Sequence, residues 1–410
     1  MKQFKKYGCL FVSVLMIWGI FLSACTFSVF GYEAATASSL YKDDPMENIQ
    51  AGSYAVMNVK MDRLLMSSNA DERRPVGYLS KVMTLILVYD ALQAGTIAMD
   101  TVLKVPREAT ELSGKAPANS AFLDYYRDET ITVEQALKAM CINSANDAAY
   151  TLAKGVAHSE AQFVEKMNKK AEELGLKNTH FTDCTGYDRT EQYSTASDVA
   201  KMAYHLLNTY PQVVELTKEK FMWFKHSTGL EDSMVATTNC SLKFFSECDG
   251  LFATSDSTNG YSTVITALID NERVICVVLG AADDNHGAAL ARKLSEECAA
   301  QFQMETIDVA GTYVRRVAVN NGKEKMVKAE TKEDFTTFVK VAELENIERE
   351  VVPEEDLSAP LEAGARVGEV IYKLGDEEIG RVEIVAAEEV EKAGFFTRLI
   401  RWFLSLFGLE

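Results

Sequence analysis

The chain has 410 residues, of which 47% are hydrophobic and 25% are charged. This composition is typical of a globular protein of about two or three domains and excludes a disordered chain. The formal net charge of -18 disfavours nucleic acid as a partner, because phosphates are bound by clusters of Lys and Arg.

The N-terminus has the pattern of a secretory signal peptide. Lys2, Lys5 and Lys6 precede an apolar run from Cys9 to Cys25. A basic start followed by an apolar stretch is typical of exported proteins. We therefore expect the protein to reach the outer face of the cytoplasmic membrane.

The end of this run, "LSAC" at 22–25, resembles a bacterial lipobox. In a lipobox the cysteine is lipidated and becomes the new N-terminus. The resemblance predicts a signal peptide over 1–24, lipidation at Cys25 and a leader over 25–50. Cleavage near 34–37 and an uncleaved anchor are the alternatives, since the run is close to the length at which a signal and a membrane span are hard to separate.

The remaining cysteines predict neither a metal site nor a fixed set of disulfides. Their spacing matches no zinc signature, and an even number in an exported chain permits disulfides without assigning pairs. A large apolar chain does not need such cross-links, so buried free thiols are the preferred interpretation. These residues are Cys141, Cys184, Cys240, Cys248, Cys276 and Cys298.

The first elements after the leader are a strand pair and a long helix. Residues 55–66 have the pattern of two short strands around a turn. The stretch from Lys81 to Gly95, "KVMTLILVYDALQAG", is an almost wholly apolar helix. A helix that is apolar on all sides is buried at the centre of a domain.

Two further helices are predicted by capping boxes, in which a Ser or Thr is followed three residues later by Gln. The pairs are Thr132 with Gln135 and Ser159 with Gln162. A third helix is predicted over 197–207.

The stretch 261–281 predicts a hairpin of two β-branched strands that turns at Asp270 and Asn271. A helix over 288–302 follows the hairpin. Strands and helices on this scale predict an α+β fold over 51–303, with an antiparallel sheet flanked by helices.

The pattern changes after residue 303. Short alternating strands such as "YVRRVAVNN" predict a small all-β domain over 304–391.

The last segment, 392–410, predicts an amphipathic helix with Phe, Leu, Ile and Trp around most of its circumference and Arg398 and Arg401 on a narrow polar stripe. The segment is too short to span a bilayer, so we expect the helix to lie in the membrane interface. A helix packed on the protein is the alternative.

Five stretches in order resemble one enzyme family: "NADERRPVGYLSKVMT", "INSANDAAYTLA", "MNKKAEELGLKNTHFTDCTGYD", "YSTASDVAKMA" and "VVLGA". The chain resembles the bacterial serine D-alanyl-D-alanine carboxypeptidases, which are low-molecular-mass penicillin-binding proteins. The resemblance covers nearly the whole exported chain. It implies the penicillin-binding, β-lactamase-like fold, followed by a β-domain and an amphipathic C-terminal anchor.

The resemblance also implies three active-site elements, S-x-x-K, S-x-N and K-T-G. Lys81 matches the lysine of the first element, but Tyr78 stands where the family has the nucleophilic serine. Ser144 and Asn146 satisfy the second element. In the third, Phe252, Ala253 and Thr254 replace the lysine, threonine and glycine, so the cation that attracts the substrate carboxylate is missing.

Four other candidates for the nucleophile are less suitable. Ser80 adjoins Lys81, but neighbouring positions on a helix do not face each other. The oxygen of Tyr78 itself would lie beyond the position of a serine oxygen and crowd the cleft. The second S-x-x-K pattern, "SLYK" at 39–42, is not followed by a helix. Cys184 has no matching His partner, so a structural thiol is preferred there.

Three functions therefore compete. The favoured hypothesis is an exported, membrane-held pseudoenzyme that binds a peptidoglycan stem peptide or a cell-envelope protein, or serves as a scaffold. The second is an active carboxypeptidase that trims peptidoglycan stem pentapeptides, and the third is a hydrolase that uses Cys184. No cofactor or metal is expected. The membrane surface is the expected partner of the C-terminal helix and of a lipidated Cys25.

Overall fold

The structure is a computed structural model that describes residues 51–115, 119–187, 191–256 and 260–395, together with Thr397, Leu399, Ile400 and Phe403. The predicted signal peptide, Cys25 and the leader lie outside the described residues. The chain divides into two compact units between Ala299 and Ala300.

The first unit is a five-stranded sheet with helices around it. The strands of the unit are β1 (Ser53–Asn58), β2 (Leu64–Ser68), β3 (Val102–Lys104), β4 (Thr130–Thr132), β5 (Phe221–Phe224), β6 (Ser233–Ala236), β7 (Cys248–Asp256), β8 (Gly260–Ile269) and β9 (Glu272–Ala281). The main sheet has the order β2-β1-β9-β8-β7 with antiparallel pairing throughout, while β3 pairs with β4 and β5 pairs with β6.

The helices of this unit are α1 (Lys81–Gln93), α2 (Arg107–Lys115), α3 (Val133–Asn143), α4 (Asn146–Ala157), α5 (Glu160–Glu173), α6 (Ala196–Thr209), α7 (Val214–Thr217), α8 (Ser241–Phe244) and α9 (Asp284–Gln301). Helix α1 contacts α4, α5 and α6. Its residues from 81 to 89 are all buried, because apolar side chains cover every side of the helix. The prediction of a central helix is confirmed.

Several local predictions are also confirmed. Thr132 and Gln135 form a reciprocal capping box at the start of α3, and the Ser159 side chain accepts a hydrogen bond from the Gln162 N–H. The turn between β8 and β9 places Asp270 and Asn271 at positive φ, as a two-residue hairpin turn requires. The six described cysteines are buried and free.

Helix α9 begins four residues earlier than the sequence pattern suggests. The side chain of Asp283 accepts hydrogen bonds from the N–H groups of Asn285 and His286. An aspartate in this position satisfies N–H groups that have no partner within the helix. The polar start of the helix therefore depends on a cap rather than on apolar periodicity.

Apart from the end of α9, a 3-10 helix at Val341–Asn346 and the described residues of the C-terminal segment, the regular elements described in the second unit are strands. Its strands are β10 (Phe302–Asp308), β11 (Tyr313–Ala318), β12 (Met326–Thr331), β13 (Phe335–Lys340), β14 (Ile347–Pro353), β15 (Arg366–Leu374) and β16 (Glu377–Ala386). The larger sheet has the order β11-β12-β16-β15-β14. Phe335 stacks on Tyr372 within its core, with ring centres 3.9 Å apart.

Together the two units confirm the predicted α+β fold with an all-β C-terminal domain. In the C-terminal segment, Phe395, Thr397, Leu399, Ile400 and Phe403 are helical and exposed. Within the described part of the chain, no helix is both long and apolar enough to cross a membrane.

Candidate active site

Tyr78 lies on a 3-10 turn, Gly77–Ser80, that leads directly into α1 at Lys81. Side chains three residues apart on a 3-10 turn are nearly eclipsed. The Lys81 ammonium accordingly lies 4.0 Å from the centre of the Tyr78 ring, well within the range of a cation–π contact. Tyr78 is 6% exposed and Lys81 is fully buried.

The Lys81 ammonium also donates two hydrogen bonds. Nζ lies 2.7 Å from Oδ1 of Asn146 and 2.5 Å from the carbonyl oxygen of Thr185. Both partners are acceptors, and the ring face of Tyr78 is electron-rich. These contacts stabilise an ammonium cation, whereas a general base must present a free lone pair to a hydroxyl.

Asn146 connects the two motifs. It opens α4, and Ser144 lies between α3 and α4 with a positive φ of 54°. While Oδ1 of Asn146 accepts from Lys81, Nδ2 donates to the Tyr78 hydroxyl at 3.4 Å. Both polar ends of this amide therefore bond within the site.

The third predicted element lies on β7, which is an edge strand of the main sheet and contacts the 3-10 turn that bears Tyr78. Phe252 and Ala253 are 1% exposed, and Phe252 belongs to the hydrophobic core. Thr254 is also buried, and its hydroxyl has no hydrogen-bond partner in the part of the chain that the structure describes. A phenylalanine at position 252 therefore contributes apolar packing where the family resemblance calls for a cation.

The neighbouring Ser80 is buried beneath a loop. A β-carbon on Gly186 would lie 2.0 Å from the Gly77 carbonyl oxygen and 2.7 Å from Oγ of Ser80. The close approach of this loop to the 3-10 turn requires glycine at position 186, which also has a φ of +79°. The Ser80 hydroxyl is therefore enclosed, and it has no hydrogen-bond partner among the described residues.

Cys184 is enclosed in the same loop. Its thiol lies 3.5 Å from Oε1 of Glu160, and its carbonyl oxygen accepts from the Thr84 hydroxyl. Burial and the Glu160 carboxylate raise the pKa of the Cys184 thiol well above its usual range. Since the thiolate is the nucleophilic form, these contacts disfavour a thiol mechanism.

Asp147 is a residue of the site that the sequence reasoning missed. Its fully buried carboxylate accepts hydrogen bonds from the Ser113 and Ser120 hydroxyls and from the N–H groups of Ala121 and Leu123. These bonds fix the loop whose Asn119 carbonyl accepts from the N–H of the adjacent Asn146. An acid in the first turn of a helix is common, so only the tertiary contacts reveal this role.

In the part of the chain that the structure describes, no group of three or more His, Cys, Asp and Glu side chains could hold a metal ion.

Two family models match the chain. The model of the D-alanyl-D-alanine carboxypeptidase family matches residues 38–283, and that of the penicillin-binding protein 5 C-terminal domain matches residues 302–392. Among curated proteins, the D-alanyl-D-alanine carboxypeptidase DacF of Bacillus subtilis is 31% identical over 86% of this chain and 89% of its own length. DacC of Escherichia coli is 28% identical over 89% of the chain and 90% of its own length.

Solved structures agree with the fold. Penicillin-binding protein 5 from Haemophilus influenzae has a TM-score of 0.69 at 26% identity, covering 84% of this chain and 98% of that one. DacD from Francisella tularensis has a TM-score of 0.70 at 22% identity and covers 84% and 94% of the two chains.

Proposed function

Because this chain belongs to the D-alanyl-D-alanine carboxypeptidase family, we propose that it serves peptidoglycan metabolism as an exported binding or scaffold protein without the hydrolytic activity of its relatives. The observation that carries the proposal is the closed contact of Tyr78, Lys81 and Asn146. Each of the three groups is bonded to another member of the site.

The first step of the argument concerns the nucleophile. Acyl transfer in this superfamily starts from a serine whose proton passes to the lysine three residues later. Tyr78 occupies that position, and its ring covers the ammonium of Lys81. Removing a nucleophile alone costs several orders of magnitude in rate.

The second step concerns substrate binding. A peptide that ends in D-alanine carries a carboxylate, and such a group is bound best by a cation with matching geometry. Phe252, which stands in the lysine position, is buried in the core. Loss of the cation and loss of the nucleophile act independently, so both must be overcome for turnover.

The retained polar residues have a structural explanation. Lys81 and Asn146 bond to each other in the interior, so removing either takes one hydrogen bond from a buried polar group of the other. Their presence is therefore compatible with an inactive site. A peptidoglycan stem peptide or a cell-envelope protein is the proposed partner.

Attachment to the membrane is part of the same proposal. Phe395, Leu399, Ile400 and Phe403 expose their side chains on the C-terminal helix, which supports a position in the membrane interface. Lipidation at Cys25 would add a second signal, and two signals are enough for stable anchoring.

The alternative is an active carboxypeptidase, which the retained Lys81, Ser144 and Asn146 favour. Release of D-alanine from a stem pentapeptide distinguishes the two functions. We expect no release above the buffer control from the wild-type protein. Release that disappears in the Lys81→Ala variant would replace our proposal with the alternative.

A further inference from the structure

Away from the Lys81 site, three side chains form a linear hydrogen-bonded array. Oγ of Ser233 lies 2.8 Å from Nε2 of His226, and Nδ1 of the same ring lies 2.7 Å from Oε1 of Glu129. The side chains of His226 and Glu129 are 2% and 0% exposed, whereas Ser233 is partly exposed. The array therefore leads from the interior to the surface.

Three elements hold this array in place. Ser233 begins β6 and lies opposite Phe224 at the end of β5, and His226 follows two residues later. The Phe224 and His226 rings make a T-shaped contact with centres 4.9 Å apart. Glu129 immediately precedes β4, and its second oxygen accepts the N–H of Asp124 at 2.7 Å. The imidazole is thus held through both of its nitrogens and by the contact with the Phe224 ring.

The acceptor on Nδ1 is the basis for assigning the ring hydrogen. A carboxylate only accepts hydrogen bonds, so we assign Nδ1 of His226 as the donor to Glu129, whose second oxygen accepts the N–H of Asp124. With a neutral ring in this tautomer, Nε2 is the acceptor for the Ser233 hydroxyl. This is the arrangement of a nucleophile, a general base and an orienting carboxylate.

We propose that Ser233, His226 and Glu129 form a second hydrolytic site, specific for small uncharged carboxylic esters. Oγ of Ser233 would form a bond to the ester carbonyl carbon while its proton moves to Nε2 of His226. Cleavage of the ester C–O bond would return that proton to the alcohol, and water would then release the acid and restore the serine. Glu129 is a positioning residue in this scheme.

The expected substrate class follows from the surroundings of Ser233. Ser233 is only partly exposed and pairs with the buried Phe224 across the hairpin, so we limit the proposed substrates to small acyl groups. The buried Glu129 carboxylate lies one imidazole away from the reacting oxygen and repels anions. This site goes beyond the function proposed above, and neither depends on the other.

A fluorophosphonate probe tests the proposal, because a fluorophosphonate traps only a serine whose hydroxyl is activated. Oγ displaces fluoride from phosphorus and its proton passes to His226, which leaves a stable adduct. We expect mass spectrometry to place the adduct on Ser233 in the folded full-length protein. Ser233→Ala should abolish it, whereas Ser246→Ala, at an exposed serine outside this hairpin, should leave it unchanged.

Two further variants separate chemistry from folding. In His226→Gln, labelling should slow by about a hundredfold or more, as expected for loss of a general base. In Glu129→Gln, kcat for p-nitrophenyl acetate should fall while KM stays constant. Loss of a carboxylate with a purely structural role would not change kcat alone. No adduct on Ser233 in the folded wild-type protein, as judged by circular dichroism, would overturn the proposal, and so would undiminished labelling of folded His226→Gln.

Discussion

Tyr78 precedes Lys81 by three residues, and its ring lies 4.0 Å from the lysine ammonium, with both side chains buried. The same spacing brings a serine hydroxyl to the lysine amine in the active members of the family. An aromatic ring at this position interacts with the cation through its face, and the hydroxyl at the far end of the ring accepts a hydrogen bond from Asn146. The spacing that usually serves catalysis here stabilises a closed site.

A double-mutant cycle measures this interaction. Tyr78→Leu removes the ring face, Lys81→Met removes the charge, and the double variant removes both. For a desolvated cation–π pair we expect a coupling of about 2 kcal/mol in the free energy of urea unfolding. Tyr78→Phe is the matched control and should lose less than about 1 kcal/mol, because the hydroxyl contact to Asn146 is long. Strictly additive effects would show that the ring and the ammonium do not interact.

The Asp147 carboxylate should be a major contributor to stability. Asp147→Asn places an amide among hydroxyl and N–H donors, so we expect a loss of about 3 kcal/mol in urea unfolding. Faster amide exchange at Ala121 and Leu123 should accompany it. The matched control is Asp128→Asn, at an exposed residue with a positive φ that asparagine tolerates. Equal stability of the two variants would contradict the role assigned to Asp147.

Cys184 should resist alkylation in the folded protein. Its pKa is raised by burial first and by Glu160 second, and burial also raises the pKa of Cys141 to about 12. At pH 8 the thiolate population is therefore very small, and we expect iodoacetamide to modify Cys184 only after urea unfolding. Removing the acid in Glu160→Gln should leave it protected, because the larger cause persists. Rapid modification of native Cys184 would revive the thiol-hydrolase hypothesis.

The C-terminal helix should bind membranes by itself. The chain from residue 26 onward lacks the lipidation site. Its cosedimentation with vesicles that contain phosphatidylglycerol therefore measures the effect of the C-terminal helix without lipidation. We expect binding by this chain and little binding once residues 393–410 are removed, since the exposed apolar side chains enter the interface. Phe403→Glu should weaken binding and Thr397→Ser should not. Unchanged binding by the truncated chain would place the membrane contact elsewhere.

Sequence reasoning predicted the register of the site because the flanking residues fix Lys81 and Tyr78 without a gap. Position alone could not show that the Tyr78 ring turns onto Lys81, because this depends on the 3-10 turn and on the loop at Gly186 that covers it. Long apolar segments such as α1 could be predicted, because their burial pattern is local and repeats along the chain.

Contacts between residues far apart in the chain could not be predicted from the sequence. Asp147 was indistinguishable from any acid near a helix start until its bonds to the loop at 119–124 were visible. The array of Ser233, His226 and Glu129 joins residues up to roughly a hundred positions apart, across strands too short to give a clear alternation. Such side-chain networks are fixed by tertiary packing, for which a single sequence carries no periodic signal.

Covalent labelling by a fluorescent penicillin tests the central claim most directly, because it requires a nucleophile and a site that can accept an acyl group. We predict no labelled band for the wild-type protein after denaturing electrophoresis. A variant that carries Tyr78→Ser, Phe252→Lys, Ala253→Thr and Thr254→Gly restores both missing functions and should acquire the band. A band from the wild-type protein that survives denaturation would contradict the account of a closed and inactive site.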